Sequence, residues 1–239
     1  MHAVDDKHSI KMLDVFRIPI FSVKFDQHDL YKESWSNFIS EFDYQGRRKK
    51  KHFSITTPNL HKNILFNPLR VFFLHSLYQC LAKIGMDHDV GITSMWGTHQ
   101  THDQYHHMHT HGNSYFAGVY YLKSEGSEET SGTVFQNVMS DFHCMIRMNT
   151  NMSDAKKDFM SSSYSSQYHE PFEEGKLVIF PAWLRHTTKT SKNEKRQVIG
   201  FNTMPIGMTT TDQHDRYHYQ DFRDKPLWGD QFDDGEIDS

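Results

Sequence analysis

Cysteine is almost missing from this chain of 239 residues: only Cys80 and Cys144 occur, and their spacing is not that of a metal-binding pair. That fits a reducing compartment, and a cytoplasmic location is expected. Long apolar runs are missing too. None approaches the roughly 18–20 residues of a membrane span, and mean hydropathy is −0.72. The first residues, MHAVDDKHSIKMLD, lack the apolar core of a signal peptide. There is no excess of basic charge. Lys and Arg number 26 against 30 Asp and Glu, so the net charge of −4 offers no global field for nucleic acid or anionic lipid, and neither is expected as a partner. Internal repeats are absent. What remains is a length suited to one large domain, aromatics at 14%, and 18 histidines.

The first third reads as helices with one strand. Residues 15–25 alternate well enough for a strand, with Pro19 suggesting a sheet edge. Leu30, Trp35, Phe38 and Phe42 predict an amphipathic helix over 27–42, closed off by Gly46. The basic run Arg47 to Lys51 is short and isolated, which favours a solvated loop over a nucleic-acid patch. The clearest helix spans 68–84, with Asn67 as N-cap, Pro68 in the first turn and Gly85 as C′ residue. Val71, Leu74, Tyr78 and Leu81 are its expected buried stripe.

From residue 90 the texture changes to short apolar runs: 90–97, 115–123, 133–138, 176–182 and 197–206. Short strands following a helical part predict a mostly β domain, a sandwich or jelly roll, with flanking α-helices. Between them 139–170 is polar and serine-rich (Ser161, Ser162, Ser163, Ser165, Ser166), as expected of a lid loop. From Asp212 onward nine acids face three basic residues, so 212–239 reads as an acidic extension, with Trp228 and Phe232 to tack it down. The expected layout is one domain over 1–211, in which 1–89 buttresses a barrel core of 90–211.

The histidines are concentrated. Four lie within His106–His111, directly before the apolar run that ends in Val119, Tyr120, Tyr121 and Leu122. On a regular strand His107, His109 and His111 share one face, and two imidazoles at that spacing can grip one metal. The second half lies downstream. Gly175 precedes the apolar Leu177–Phe180, Pro181 breaks the strand, and His186 follows the turn AWLR. A polar turn then leads to Arg196, expected on the neighbouring strand level with His186. Its planar guanidinium suits a carboxylate. Arg196, Val198, Gly200 and Asn202 share a face; Gly200 is expected to leave room beside the arginine, and Asn202 to add a neutral hydrogen bond. Taken singly, each histidine reads as a polar loop residue and Arg196 as a surface residue of a hairpin.

Together the two halves resemble the Fe(II)/2-oxoglutarate-dependent oxygenases, and within them a branch found in marine bacteria and cyanophages with motifs HxH…SGVYYL and GxLxxFPxxxxH…R…FN. Here the first reads His109-Thr110-His111 and then Ala117-Gly118-Val119-Tyr120-Tyr121-Leu122; the second reads Gly175, Leu177, Phe180, Pro181, His186, Arg196, Phe201 and Asn202. The likeness covers residues 90–205. It implies a double-stranded β-helix, jelly-roll or cupin-like barrel in which His109, His111 and His186 hold Fe(II) and are the catalytic centre. It implies 2-oxoglutarate as cosubstrate, O2 as oxidant, and Arg196, Tyr121 and Asn202 as binding residues for the 2-oxo acid. The reaction implied is decarboxylation of 2-oxoglutarate coupled to C–H oxidation of a small-molecule or peptide substrate, and the location implied includes the host cytoplasm of a phage.

One departure stands out. The wider superfamily has His-x-Asp or His-x-Glu, and here His111 occupies the acid's place. His107, Asp103 and Asp141 stay open as the second ligand, and a three-histidine site also suits zinc. Gly112 stands where relatives often carry Pro. Two other readings follow: a cupin-like metal enzyme that does not use 2-oxoglutarate, and a non-catalytic jelly-roll binding or virion module. Trp96, Tyr115 and Trp183 fit either a substrate path or the core. The sequence is silent on oligomeric state and substrate.

Overall fold

The computed structural model describes residues 17–41, 55–126, 131–138, 167–193 and 195–206. Outside them lie Cys144, Asp141, the basic run, most of the expected lid and the acidic extension. The elements in order are β1 (Phe21–Lys24), α1 (His28–Glu41), β2 (Ile55–Thr57), α2 (Asn67–Lys83), β3 (Val90–Gln100), β4 (Phe116–Glu125), β5 (Thr133–Gln136), β6 (Gln167–Glu170), β7 (Lys176–Pro181), β8 (His186–Thr187) and β9 (Lys195–Pro205). No described helix is long and apolar enough to cross a membrane.

The strands form two antiparallel sheets, a larger one in the order β1-β7-β4-β9-β3-β2 and a smaller one in the order β6-β5-β8. This is the mostly β, double-stranded β-helix architecture with flanking helices. β1 sits at the edge of the larger sheet, as Pro19 just before it suggested, but it is shorter than the expected 15–25 strand.

Alternation on the central strands decides which side chains face which layer. On β4, Phe116, Tyr120 and Leu122 face the helices, while Ala117 and Tyr121 face the smaller sheet. On β7, Leu177 and Ile179 face the helices, with Val178 and Phe180 on the other side. β9 repeats the pattern, with Ile199 and Phe201 toward the helices and Val198 inward. The larger sheet therefore has two cores, one under α1 and α2 and one between the sheets.

The helical core is aromatic. Trp35 is fully buried and its ring stacks near Tyr31 and Phe66, while Phe73 of α2 stacks on Phe201 at 4.5 Å. Ser36 of α1 donates to the Gln197 side chain of β9 at 2.7 Å, satisfying a buried amide. Two glycines allow this contact. A Cβ at Gly118 would lie 2.3 Å from Phe201 Cε1, and one at Gly97 would lie 2.7 Å from Ile39 Cδ1.

α2 forms where expected and buries Leu81 as expected, but the rest of its inward face differs. Leu69, Phe73, Leu77, Cys80 and Leu81 are buried, whereas Val71 is 56% and Tyr78 41% exposed. The helix is apolar on several sides, so spacing alone did not fix its face. Asn67 begins the helix instead of capping it: its side chain accepts from Arg70, and Phe66 holds the cap position without a side-chain bond. Gly85 does take the positive φ expected of a C′ residue, at 75°.

Candidate metal centre

The cavity between the two sheets is lined by Trp96, Thr98 and Gln100 of β3, Gly118 and Val119 of β4, Thr133 of β5, Phe180 of β7, His186 and Thr187 of β8, and Arg196, Val198 and Gly200 of β9. His106, His109 and His111 reach it from the segment before β4. That segment is not the regular strand expected. It pairs with the other half of the site only locally: His109 and His186 exchange backbone hydrogen bonds at 3.0 Å, and the His111 amide donates to Ala182 O at 2.9 Å. The two motifs are thus stitched together by backbone.

The structure brings His109, His111 and His186 to one point, with a ligand atom from each within 4.8 Å of the others. His109 Nδ1 bonds the carbonyl of His107 at 2.7 Å, and His186 Nδ1 bonds that of Leu184 at 2.9 Å. A carbonyl only accepts, so each Nδ1 carries the proton and each Nε2 keeps its lone pair. That is the tautomer a metal requires, held by the type of outer contact that orients ligating histidines. His111 Nε2 and His186 Nε2 stand 3.2 Å apart. Two nitrogens bound at a right angle to one ion, each about 2.1 Å from it, would stand about 3 Å apart.

Burial keeps the His111 and His186 rings neutral. It lowers His186 to about 3 and His111 to about 4, with His109 adding to both shifts, and it lowers His106 to about 4. The donor set therefore fits a divalent metal. Asp103 does not join the cluster: it is exposed and pairs with His102 at 3.1 Å. His107 is exposed and gives the site its carbonyl.

Arg196 is 1% exposed. Its Nε donates to Ser131 O and its Nη1 to Gln100 Oε1, each at 2.5 Å, and its guanidinium lies 6.0 Å from the Phe172 ring. Among the described residues no carboxylate pairs with it. Burial pulls it down to about 10, still charged at neutral pH. A buried cation without an anion is costly, and a ligand carboxylate entering this cavity would relieve the cost.

The strand relation expected for Arg196 is different. His186 lies on β8 in the smaller sheet and Arg196 on β9 in the larger, so they face each other across the cavity, and the turn between them changes sheets. Arg196 pairs with Gln100 on β3 and Ser124 on β4. Gly200 leaves room for Trp96 and not for the arginine, since a Cβ there would come 2.6 Å from the indole ring.

Tyr121 lies behind the cavity wall. Its hydroxyl donates to Thr133 Oγ1 at 2.9 Å, its ring stacks on Phe172, and burial raises its pKa to about 12. Asn202 lies within side-chain hydrogen-bonding reach of His111, and its Oδ1 is buried with no other partner. Trp96 lines the cavity, Tyr115 donates to Met86 Sδ in the helical layer, and Trp183 is exposed on the turn before β8. Gln100, Thr133 and His106 were not foreseen. Thr98 and Gln100 follow Trp96 at strand spacing, but the strand was expected to stop at Gly97, short of them.

Residues 94–202 match a family model described as "Putative 2OG-Fe(II) oxygenase". A comparison with curated proteins finds no match. Among solved structures the chain is similar to HygX from Streptomyces hygroscopicus with nickel and 2-oxoglutarate bound, at TM-score 0.53 and 12% identity over 79% of this chain and 83% of that one. It is also similar to SnoN, the non-heme alpha ketoglutarate dependent epimerase from nogalamycin biosynthesis, at TM-score 0.58 and 9% identity over 80% of each chain. At these identities the likeness is one of fold. Over residues 94–202 and in its fold, this chain is similar to the 2-oxoglutarate- and Fe(II)-dependent oxygenases.

Proposed function

We propose that His109, His111 and His186 hold Fe(II) and that Arg196 receives the distal carboxylate of 2-oxoglutarate. In this reading the HxH motif places the chain in the marine-bacterial and cyanophage branch, with an imidazole where other members have an acid. When bound, iron, 2-oxoglutarate and O2 supply the oxidation, in which the 2-oxo acid is decarboxylated and a substrate C–H bond is attacked. The chain's own part is to bind, orient and keep water out. Carbonyls 107 and 184 hold two imidazoles in the ligating tautomer. Gln100 and Ser131 hold two donors of Arg196, so its fork is fixed before the acid arrives. Tyr121 acts on the seat through Thr133, and Phe180, Val119 and Val198 make the cavity wall apolar. The substrate is a small molecule or a peptide segment.

The observation that carries this is the buried Arg196, which pairs with no carboxylate among the described residues, in the same cavity as the imidazole cluster. The test is uncoupled turnover. Anaerobically purified protein given Fe(II), 2-oxoglutarate and O2 should release succinate, and His186→Ala should release none. Wild-type protein that takes up Fe(II) but neither binds 2-oxoglutarate nor makes succinate would leave the cupin-like alternative in its place.

A further inference from the structure

His111 is the residue at which this chain departs from the superfamily's acid, and an imidazole brings a demand that a carboxylate does not. It has a plane and a second nitrogen, and both must be fixed before Nε2 can point at an ion. His109 and His186 meet the demand with backbone carbonyls. Among the described residues no carbonyl does this for His111. Two side chains stand in that place. The Trp96 indole stacks on the His111 ring with centroids 5.7 Å apart and planes 28° apart. Asn202 lies within side-chain hydrogen-bonding reach of the same ring, and its Oδ1 is buried with no other partner.

The indole is itself locked. Trp96 and Gly200 are direct partners across β3 and β9, and a Cβ at 200 would stand 2.6 Å from indole Cε2 and Cζ2. Asn202 follows Gly200 at the strand repeat, on the same face. One short piece of β9 therefore supports both the ring that stacks on His111 and the amide beside it.

We infer that Trp96 and Asn202 are positioning residues of the metal centre: Trp96 sets the plane of His111, and Asn202 Oδ1 takes its Nδ1 proton, so that Nε2 faces the shared ion. This rests on the three-histidine reading above. It gives Asn202 a place behind a metal ligand, where the sequence pattern had suggested a contact to the 2-oxo acid. Asparagine suits a neutral imidazole, since it accepts the proton without adding charge to the centre.

The test uses the full chain, metal-free, titrated with Co(II) alone and followed by affinity and visible absorption. Trp96→Leu and Asn202→Ala should each weaken Co(II) roughly 10- to 100-fold and alter the spectrum. Trp96→Phe, which keeps a ring, should stay near wild type. Gly200→Ala, which displaces the indole, should behave like Trp96→Leu. Melting temperature and circular dichroism report folding, and Asn202→Ala decides the matter if the tryptophan variants do not fold. If His186→Ala loses Co(II) while folded Trp96→Leu and Asn202→Ala keep wild-type affinity and spectrum, this inference is overturned and the metal centre stands. If His186→Ala binds Co(II) like wild type, the three-histidine reading falls and takes this inference with it.

Discussion

At the scale of single residues, Arg196 concentrates the chemistry. Two of its donors are spent on Gln100 and Ser131, and what remains faces the cavity. Lysine in its place would keep a charge but could not reproduce the planar fork or both inner bonds. Charged hydrogen bonds of this sort are worth about 1.5–3 kcal/mol each. Arg196→Lys is therefore expected to weaken 2-oxoglutarate roughly 10- to 100-fold while leaving Co(II) affinity unchanged. Calorimetric titration of the acid into metal-loaded protein checks this, and equal affinities would remove Arg196 from the seat. Gly118 makes a different demand, because any side chain there meets the edge of Phe201. Gly118→Ala should cost about 1–3 kcal/mol in urea unfolding, the usual range for overpacking a closed core.

Among the elements, the helices contribute support. α1 reaches the site only through the larger sheet, by burying Trp35 and Ile39 and by the Ser36–Gln197 bond at the strand that carries Arg196. Trp35→Ala should cost about 3–5 kcal/mol, as large aromatic truncations do. At temperatures where the variant is still folded, Co(II) affinity should be close to wild type, since Trp35 packs in the helical core and does not line the cavity; a parallel loss of affinity would show that helix and site are coupled. Elements were also the scale at which the sequence was most legible. Short apolar runs at β4, β7 and β9 and the turn residues around α2 put those elements within a few residues of where they lie. The face of α2 was not legible, because its apolar residues surround it. Nor was the relation of His186 to Arg196, since a turn that crosses between sheets reads like a turn within one. Gln100 and Thr133 were hidden for a related reason: a polar residue inside a barrel looks in sequence like one outside it, and only closure of the fold shows which it is.

For the molecule as a whole, the larger sheet is buried on both faces, and that traps titratable groups far from the metal site. His28, at the start of α1, is packed beneath Gly175, whose φ of 82° lets the chain pass where a Cβ would lie 3.0 Å from the histidine. Its Nδ1 shares a 2.6 Å hydrogen bond with the Tyr120 hydroxyl. Burial lowers its pKa, and so does burial at His61 and His99. The sign follows directly. A group whose folded pKa lies below the free value is protonated first in the unfolded chain, so the unfolded state binds more protons as pH falls. Stability from these rings is then complete above about pH 6.5, the free value of histidine. It declines as pH drops below that value, until the folded pKa is reached. Thermal melts in chelator from pH 8 to pH 5 should show a plateau followed by a falling midpoint. His28→Gln, which cannot titrate, should melt lower at pH 8 but decline less steeply below pH 6.5. Parallel curves would mean that His28 takes up its proton as readily folded as unfolded, and that the acid sensitivity of this two-sided sheet arises elsewhere.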